Sequence, residues 1–255
     1  MIYSEYKPSK ELKDIVKNYW RFEVANDGNL GFPYRHETLP HSEVSIVFIK
    51  QPYFEGIRIL GPQLSKFQKT IYPDSIYFGI RILPWISFTP SLLNKHEILN
   101  VTTDCPIPIV NGLKSIKFDA YIEPEPLILE IENTLKKMFT ETLHVCKYDL
   151  IKYICLELSS GKSVASTIGN IPLSTRVIQK KFKEVVGMSM RKYHAIERQR
   201  RLWTDFVKNE KNKTDLLFDY GFFDQAHFIN DFKKHMNRSH KDFEQRLQQI
   251  SISLA

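Results

Sequence analysis

Residues 173–193 are LSTRVIQKKFKEVVGMSMRKY, and residues 223–243 are FDQAHFINDFKKHMNRSHKDF. The two stretches match at a constant offset of fifty residues, with the same type of residue at each matching position. Four of the seven pairs are apolar, two are helix N-cap residues, and one joins the two residues that best tolerate a left-handed helix end. The constant offset indicates a duplicated helical unit. The matching pairs are Leu173 and Phe223, Ser174 and Asp224, Ile178 and Phe228, Phe182 and Phe232, Gly187 and Asn237, Ser189 and Ser239, and Tyr193 and Phe243.

Within the first unit, the order of signals predicts a helix, a sharp end and a second helix. Ser174 is the predicted N-cap, and Ile178 and Phe182 lie four residues apart, so they form one apolar stripe. Gly187 then ends the helix, and Ser189 caps the next one. With the turn before Ser174, this pattern is typical of a helix-turn-helix.

The opposite face of this helix is polar. Arg176, Gln179, Lys180 and Lys183 stand at positions i, i+3, i+4 and i+7, so they share one exposed stripe. Arg and Lys donate to guanine and Gln pairs with adenine, so we predict base contacts by Arg176, Gln179 and Lys180. The alternative for such a stripe is a merely solvated face. The predicted contacts to the DNA backbone in this unit are Ser174, Thr175 and Lys183.

The corresponding helix of the second unit is less basic. Asn230 suits adenine, and Ala226 suits a thymine methyl group. The predicted base contacts are Gln225, Ala226, His227 and Asn230, and Lys233 is a predicted backbone contact.

Residues 191–208 (RKYHAIERQRRLWTDFVK) predict a long helix between the two units. A rod of this length can hold two recognition helices one DNA turn apart, roughly 34 Å. Arg198, Arg200 and Arg201 are candidates for phosphate contacts, although Arg198 can instead pair with an acid.

The distribution of charge agrees with a polyanion partner. The chain up to Cys146 has 16 basic and 17 acidic residues, whereas the remainder has 20 basic and 12 acidic residues. Basic side chains near phosphates gain affinity by releasing condensed counterions. No apolar run reaches 18 residues and the first residues are charged, so we expect a soluble, cytoplasmic protein.

The first half is predicted to be strand-rich, because short β-branched and aromatic runs alternate with turn residues. The runs are Tyr19–Val24, Glu43–Ile49, Ile57–Leu60 and Ile76–Ile82. Two helices are predicted here, at Ser9–Val16 and Pro126–Phe139. We therefore predict an α+β chain of two domains. Residues 1–145 form a β-roll or small barrel with a few helices, and residues 146–255 form an all-α double helix-turn-helix.

The C-terminal part resembles the AraC-type family of transcription regulators over about residues 147–247. The resemblance is carried by residues 173–193 and by YGFFDQAHFINDFKKHMNRSHKDF at residues 220–243. It implies two helix-turn-helix units, joined by a linker helix, that bind double-stranded DNA. Met190 and His240 stand where the family usually has proline, and Ile168 and Leu217 stand where it usually has alanine. These departures put the docking angle in question.

The N-terminal half is similar to the β-rich domain that precedes such modules in one subgroup of these regulators. The similar stretches are VKNYWRF (residues 16–22), LPHSEVSIVFI (39–49) and GIRILPW (79–85). This resemblance implies that residues 1–145 sense a small-molecule effector or form a homodimer. It implies no cofactor.

Other classes of function find little support. The chain has no Gly-rich phosphate loop, nucleophile elbow or HExxH motif, so we expect neither an enzyme nor catalytic residues. His36 and His41 lack the rest of a ligand set, so no metal site is expected. Two alternatives stay open. One is a small-molecule- or protein-binding β-domain whose helical tail has lost specific DNA binding, and the other is a non-specific nucleic-acid binder.

Overall fold

The structure is a computed structural model that describes residues 1–26, 33–87, 94–116, 118, 123–141 and 146–208. In the last fifth of the chain it describes residues 220, 224, 226, 229, 230, 233 and 251–253. None of the helices in these described ranges is long and apolar enough to cross a membrane.

The described N-terminal residues, joined by residues 251–253 from the C-terminal end, build one large sheet, and its N-terminal strands agree with the predicted strand-rich pattern. Each of the four predicted strands lies in or overlaps an observed one. Its seven strands are β1 (Ile2–Tyr6), β2 (Val16–Val24), β4 (Val44–Gln51), β5 (Phe54–Leu60), β7 (Ser75–Ile82), β9 (Thr102–Asp104) and β11 (Ser251–Ser253). They follow the order β11–β1–β2–β7–β4–β5–β9 in the sheet, and only the β1–β11 pair of this sheet is parallel.

One face of this sheet is covered by helices. Helix α1 spans Ile107–Leu113, and α2 spans Pro124–Glu141, which confirms the predicted helix at Pro126–Phe139. Strand alternation places Phe78 and Ile80 on this face, where both are fully buried. The Tyr19 hydroxyl donates to Glu132 of α2 at 3.1 Å.

The other face is covered by a two-stranded sheet of β3 (Tyr34–Thr38) and β6 (Phe67–Ile71). Ile71 packs with Phe22, Val47 and Tyr77 of the large sheet. A cavity of about 280 Å³ lies between the two sheets.

The predicted helix at Ser9–Val16 is wrong. Residues 10–15 form turns, in which the Lys13 amide donates to the Ser9 carbonyl at 3.0 Å, and β2 begins at Val16. Val16 pairs with Ile82 in the sheet. Pairing across the sheet therefore overrides a local pattern that extends over only two helical turns.

The C-terminal half is helical as predicted, with α3 (Asp149–Ser159), α4 (Val164–Ile168), α5 (Thr175–Val186) and α6 (Met190–Lys208). Helix α6 contains the linker helix predicted for residues 191–208. Strand β8 (Ile86–Ser87) pairs with β10 (Cys146–Lys147), and Ile86, Ile151 and Val186 belong to one buried cluster. The boundary at residues 145–146 stays a prediction, because this core is continuous across it.

Candidate nucleic-acid interface

The first helix-turn-helix unit consists of α4, a turn and α5, and both ends of α5 are as predicted. The Ser163 hydroxyl accepts a hydrogen bond from the Ser166 amide at 3.1 Å, which caps α4. The Ser174 hydroxyl accepts from the Val177 amide at 3.4 Å, which caps α5. Gly187 ends α5 with a φ of 84°. This left-handed conformation suits glycine, so α5 stops where the sequence predicts.

The inner face of α5 is held by its apolar stripe. Ile178 and Phe182 are buried, and the Phe182 ring meets the Tyr193 ring edge-on at a centroid distance of 5.6 Å. The Tyr193 hydroxyl lies 3.0 Å from Ser159 Oγ of α3. The Ser189 hydroxyl accepts from the Lys192 amide at 3.4 Å, as a cap of α6 requires. This packing fixes which side of α5 faces outward.

The outer face of α5 brings together the predicted contact residues of this unit except Ser174, the N-cap, which is exposed but does not line the groove that the others share. Arg176, Gln179, Lys180 and Lys183 are all exposed. They line a groove with the exposed Thr175. The other residues that line this groove are Val164, Ala165, Ile168, Ser189, Met190 and Arg191.

The groove carries a strongly positive charge. Among the described residues that line it, four are cations and none is acidic. Lys180 has an i,i+4 neighbour, Glu184, at 3.9 Å, but both side chains are largely exposed and the pair is weak. An anionic partner therefore meets uncompensated charge.

Sequence reasoning missed Arg191 as a site residue. It is exposed in the first turn of α6, beside the capping Ser189, and both line the groove. The cap signal at Ser189 already placed a helix N-terminus there, and helix N-termini attract phosphate groups. That signal was sufficient to include Arg191.

The second unit lies largely outside the described residues, including the predicted base contacts Gln225 and His227. Ala226, Asn230 and Lys233 have helical backbone and exposed side chains. Their spacings of four and three residues are those that a helix presents on one side.

The linker arginines differ from one another. Arg198 and Arg201 are half-buried, and the Arg201 guanidinium lies 5.1 Å from the Tyr220 ring centroid. Arg200 points away from the groove, into the N-terminal half, where it pairs with the buried Glu43. Burial acts to lower the pKa of Arg200, but the carboxylates of Glu43 and Glu197 outweigh it and raise that pKa. The interpretation of Arg200 as a phosphate contact is wrong, because its charge is already compensated.

Two family descriptions match separate parts of the chain. Residues 170–246 match a helix-turn-helix domain, and residues 4–100 match a domain of unknown function (DUF6597). No curated protein matches the chain.

Solved structures of ToxT from Vibrio cholerae are similar over most of the chain. One has 14% identity and a TM-score of 0.47, and covers 89% of this chain and 96% of ToxT. A second, bound to (E)-4-(8-methylnaphthalen-1-yl)but-3-enoic acid, has 13% identity and a TM-score of 0.48, with 95% and 98% covered. A third, bound to an unsaturated fatty acid, has 14% identity and a TM-score of 0.45, with 95% and 93% covered.

Proposed function

We propose that this chain contacts two successive major-groove segments of DNA. Its C-terminal part carries an AraC-type helix-turn-helix domain, which is the domain of a DNA-binding transcription regulator. Arg176, Gln179 and Lys180 of α5 contact bases in the first segment. Gln225, Ala226, His227 and Asn230 contact bases in the second segment.

The observation that carries the proposal is the exposed, acid-free groove along α5. Arg176, Gln179 and Lys180 are exposed on a helix that is capped at both ends and packed on its inner face. Arg and Lys donate to the O6 and N7 atoms of guanine, and Gln pairs bidentately with adenine. A helix of this width fits the major groove of B-DNA.

Residues around the base contacts position the DNA backbone. Ser174, Thr175 and Lys183 flank the exposed face of α5, and Arg191 stands at the N-terminus of α6. Such contacts set register and orientation without specifying sequence. The further proposed backbone contacts are Arg198, Arg201 and Lys233.

Helix α6 sets the distance between the two units. Its 19 residues extend over about 28 Å at 1.5 Å per residue. This length is close to the roughly 34 Å that separates successive major grooves on one side of the duplex. One polypeptide can therefore reach both segments.

Selection of bound duplexes from a random DNA pool, with the full chain at near-physiological salt, tests the proposal. We expect a motif of two blocks about ten base pairs apart. Enrichment of a single block would restrict recognition to one unit. Binding without any enriched motif would favour the non-specific alternative, and no binding would favour a helical tail that serves another partner.

We also propose that the N-terminal cavity holds a small-molecule effector. The walls of this cavity are mostly apolar. Arg200 and Thr204 of α6 complete them, so an occupant of the cavity touches the helix that joins the two units.

The Val47 side chain points into this cavity. Val47→Phe, which fills part of the cavity, is expected to change the Kd for the selected duplex at least fivefold, a typical allosteric coupling. An unchanged Kd in a folded variant would separate the cavity from DNA binding.

The homodimer implied by the family resemblance stays a prediction. Sedimentation equilibrium of the full chain at micromolar concentration distinguishes a monomer from a dimer.

A further inference from the structure

Val177 is an apolar residue exposed on helix α5. The other large apolar side chains of this helix are buried, namely Ile178, Phe182, Val185 and Val186. Val177, in contrast, is 49% exposed. It stands at the third position after the N-cap Ser174, where Glu or Gln would complete a capping box, and valine is a weaker helix former than either. Neither the core nor the helix itself therefore accounts for a valine at this position.

The position of Val177 on the helix places it beside the proposed base contacts. At 3.6 residues per turn, Lys180 stands nearly opposite the centre of the buried stripe. Arg176 and Val177 lie on either side of Lys180, about 40° and about 60° away around the helix axis. All three side chains are exposed in the first two turns of α5, and the N-terminal residues of a recognition helix are those that reach base edges. A helix that enters a groove with Arg176 and Lys180 foremost therefore brings Val177 to the bases as well.

Cations surround Val177, which restricts the kind of partner that can cover it. Arg176 precedes it, and Lys180 and Lys181 follow at i+3 and i+4, with Cβ atoms about 5–6 Å away. The acidic residue of α5, Glu184, lies about 10 Å further along the axis, where it is 3.9 Å from Lys180. A partner that covers Val177 must therefore combine negative charge with a small apolar group. The major groove of DNA does so wherever a thymine presents its C5-methyl group.

The internal repeat points to the same position independently. The offset of fifty residues pairs Val177 with His227, which is a proposed base contact of the second unit. The same offset pairs Arg176 with Ala226 and Lys180 with Asn230, and all four of these residues are proposed base contacts. Val177 is thus the remaining member of a set of three positions that the two units share.

We propose that Val177 contacts the C5-methyl group of a thymine in the first major-groove segment, next to the bases that Arg176 and Lys180 contact. The inference rests on the proposed function in one respect, that α5 enters the major groove. It adds a residue that discriminates between bases and the group on the DNA that this residue contacts. The valine side chain has no hydrogen-bond donor or acceptor, so apolar contact with the methyl group is its means of discrimination.

Replacement of single thymines by deoxyuridine in the selected duplex tests this contact, because deoxyuridine lacks the methyl group and keeps the base pair. Fluorescence anisotropy measures the Kd of the full chain for each duplex. In the block whose specificity Arg176→Ala relaxes, we expect one thymine at which the replacement raises the Kd about fourfold. This is the effect expected for the burial of one methyl-sized group.

Three variants assign the effect to its residue. Val177→Ala removes the groups that reach the methyl, so the replacement should change its Kd only about onefold. Alanine is a better helix former than valine, so this variant should keep the fold of α5. Val177→Thr retains one methyl group and should discriminate better than Val177→Ala. The matched control is Leu129→Ala, at an exposed apolar position on α2, which should leave the fourfold effect unchanged.

Two results would overturn the inference. One is a first block in which no replacement of a thymine raises the Kd, and the other is a methyl effect of the same size in Val177→Ala. The DNA selection separates this inference from the proposed function. A two-block motif without a methyl effect that depends on Val177 rejects the thymine contact alone. The absence of any motif rejects base recognition itself, and the thymine contact with it.

Discussion

At the scale of single residues, Arg176 and Lys183 have different expected roles although both are exposed on α5. Arg176→Ala should cost about 1–3 kcal/mol on the preferred duplex and relax specificity at one or two base pairs. Lys183→Ala should weaken binding to all duplexes alike, because a phosphate contact has no sequence preference. Fluorescence anisotropy on the preferred and on substituted duplexes measures both. An equal loss on every duplex for Arg176→Ala would contradict base contact.

Lys95 should make stability depend on pH. It is buried, donates to the Pro84 carbonyl at 2.6 Å and lies beside Gly187 at the end of α5. Burial lowers the pKa of Lys95 to about 7, below its ordinary value near 10.5. Below pH 7 both folded and unfolded states are protonated, and the folded state carries the full cost of a buried charge. Between pH 7 and 10.5 the unfolded state binds more protons, so the contribution of Lys95 to stability rises with pH.

Urea unfolding at pH 7 and pH 9 measures this contribution. Lys95→Met should make the free energy of unfolding less dependent on pH in that interval. An identical dependence in the variant and the parent chain would show that Lys95 does not titrate there.

At the scale of elements, the end of α5 depends on Gly187. An added Cβ there would lie 3.0 Å from Lys95 Cβ and from the Lys95 carbonyl oxygen, and the φ of 84° disfavours side chains. Gly187→Ala should therefore lower stability by about 1–2 kcal/mol or more. Gly169→Ala is the matched control, because Gly169 ends α4 with an ordinary helical φ of −60°. Thermal unfolding of both variants measures the difference, and equal melting temperatures would contradict the argument.

The elements that sequence analysis found are those with regular apolar spacing. Helix α5 was predicted because Ile178 and Phe182 face a core and the caps mark both ends. Strands β3 and β6 were not predicted, because much of their inner face lines a cavity and only part of it packs in an apolar core. His36 and Lys69 take lining positions there, so apolar and polar residues do not alternate. Strands β8, β10 and β11, with two or three residues each, carry no periodicity at all.

The same difference between local patterns and long-range contacts explains which candidate site could be predicted from the sequence. The groove along α5 was predictable, because its residues are neighbours on one helix. The cavity was not, because Trp20, Arg58 and Lys69 come from three strands that only the folded sheets bring together. The contact between Arg200 and Glu43 joins residues 157 positions apart, which no local pattern reveals.

At the scale of the whole molecule, α6 is tied to the N-terminal half through Glu43. This carboxylate is buried and pairs with both Lys17 of β2 and Arg200 of α6. The Ser42 hydroxyl donates to Glu197 of α6 at 2.6 Å. Burial acts to raise the pKa of Glu43, but the Arg200 and Lys17 cations outweigh it and hold that pKa well below its usual range. The position of α6 therefore depends on a charged contact with the large sheet.

Glu43→Gln should destabilise the chain by about 3 kcal/mol, since it leaves the partly buried Lys17 and Arg200 cations without their buried acid. Amide hydrogen exchange in α6 should accelerate in this variant, because the helix loses its main polar contact with the sheet. Glu130→Gln, at an exposed position on α2, is the control that should change neither quantity. Unchanged exchange in α6 after Glu43→Gln would mean that apolar packing alone holds the helix.

The central claim is that one chain holds two recognition units one DNA turn apart. The most direct measurement compares the Kd for the selected two-block duplex with the Kd after five base pairs, about half a DNA turn, are inserted between the blocks. The insertion places the second block on the opposite side of the duplex. We expect affinity to fall on the order of a hundredfold, to that of a single block, because the two units can no longer bind together. An unchanged Kd would contradict the two-unit account.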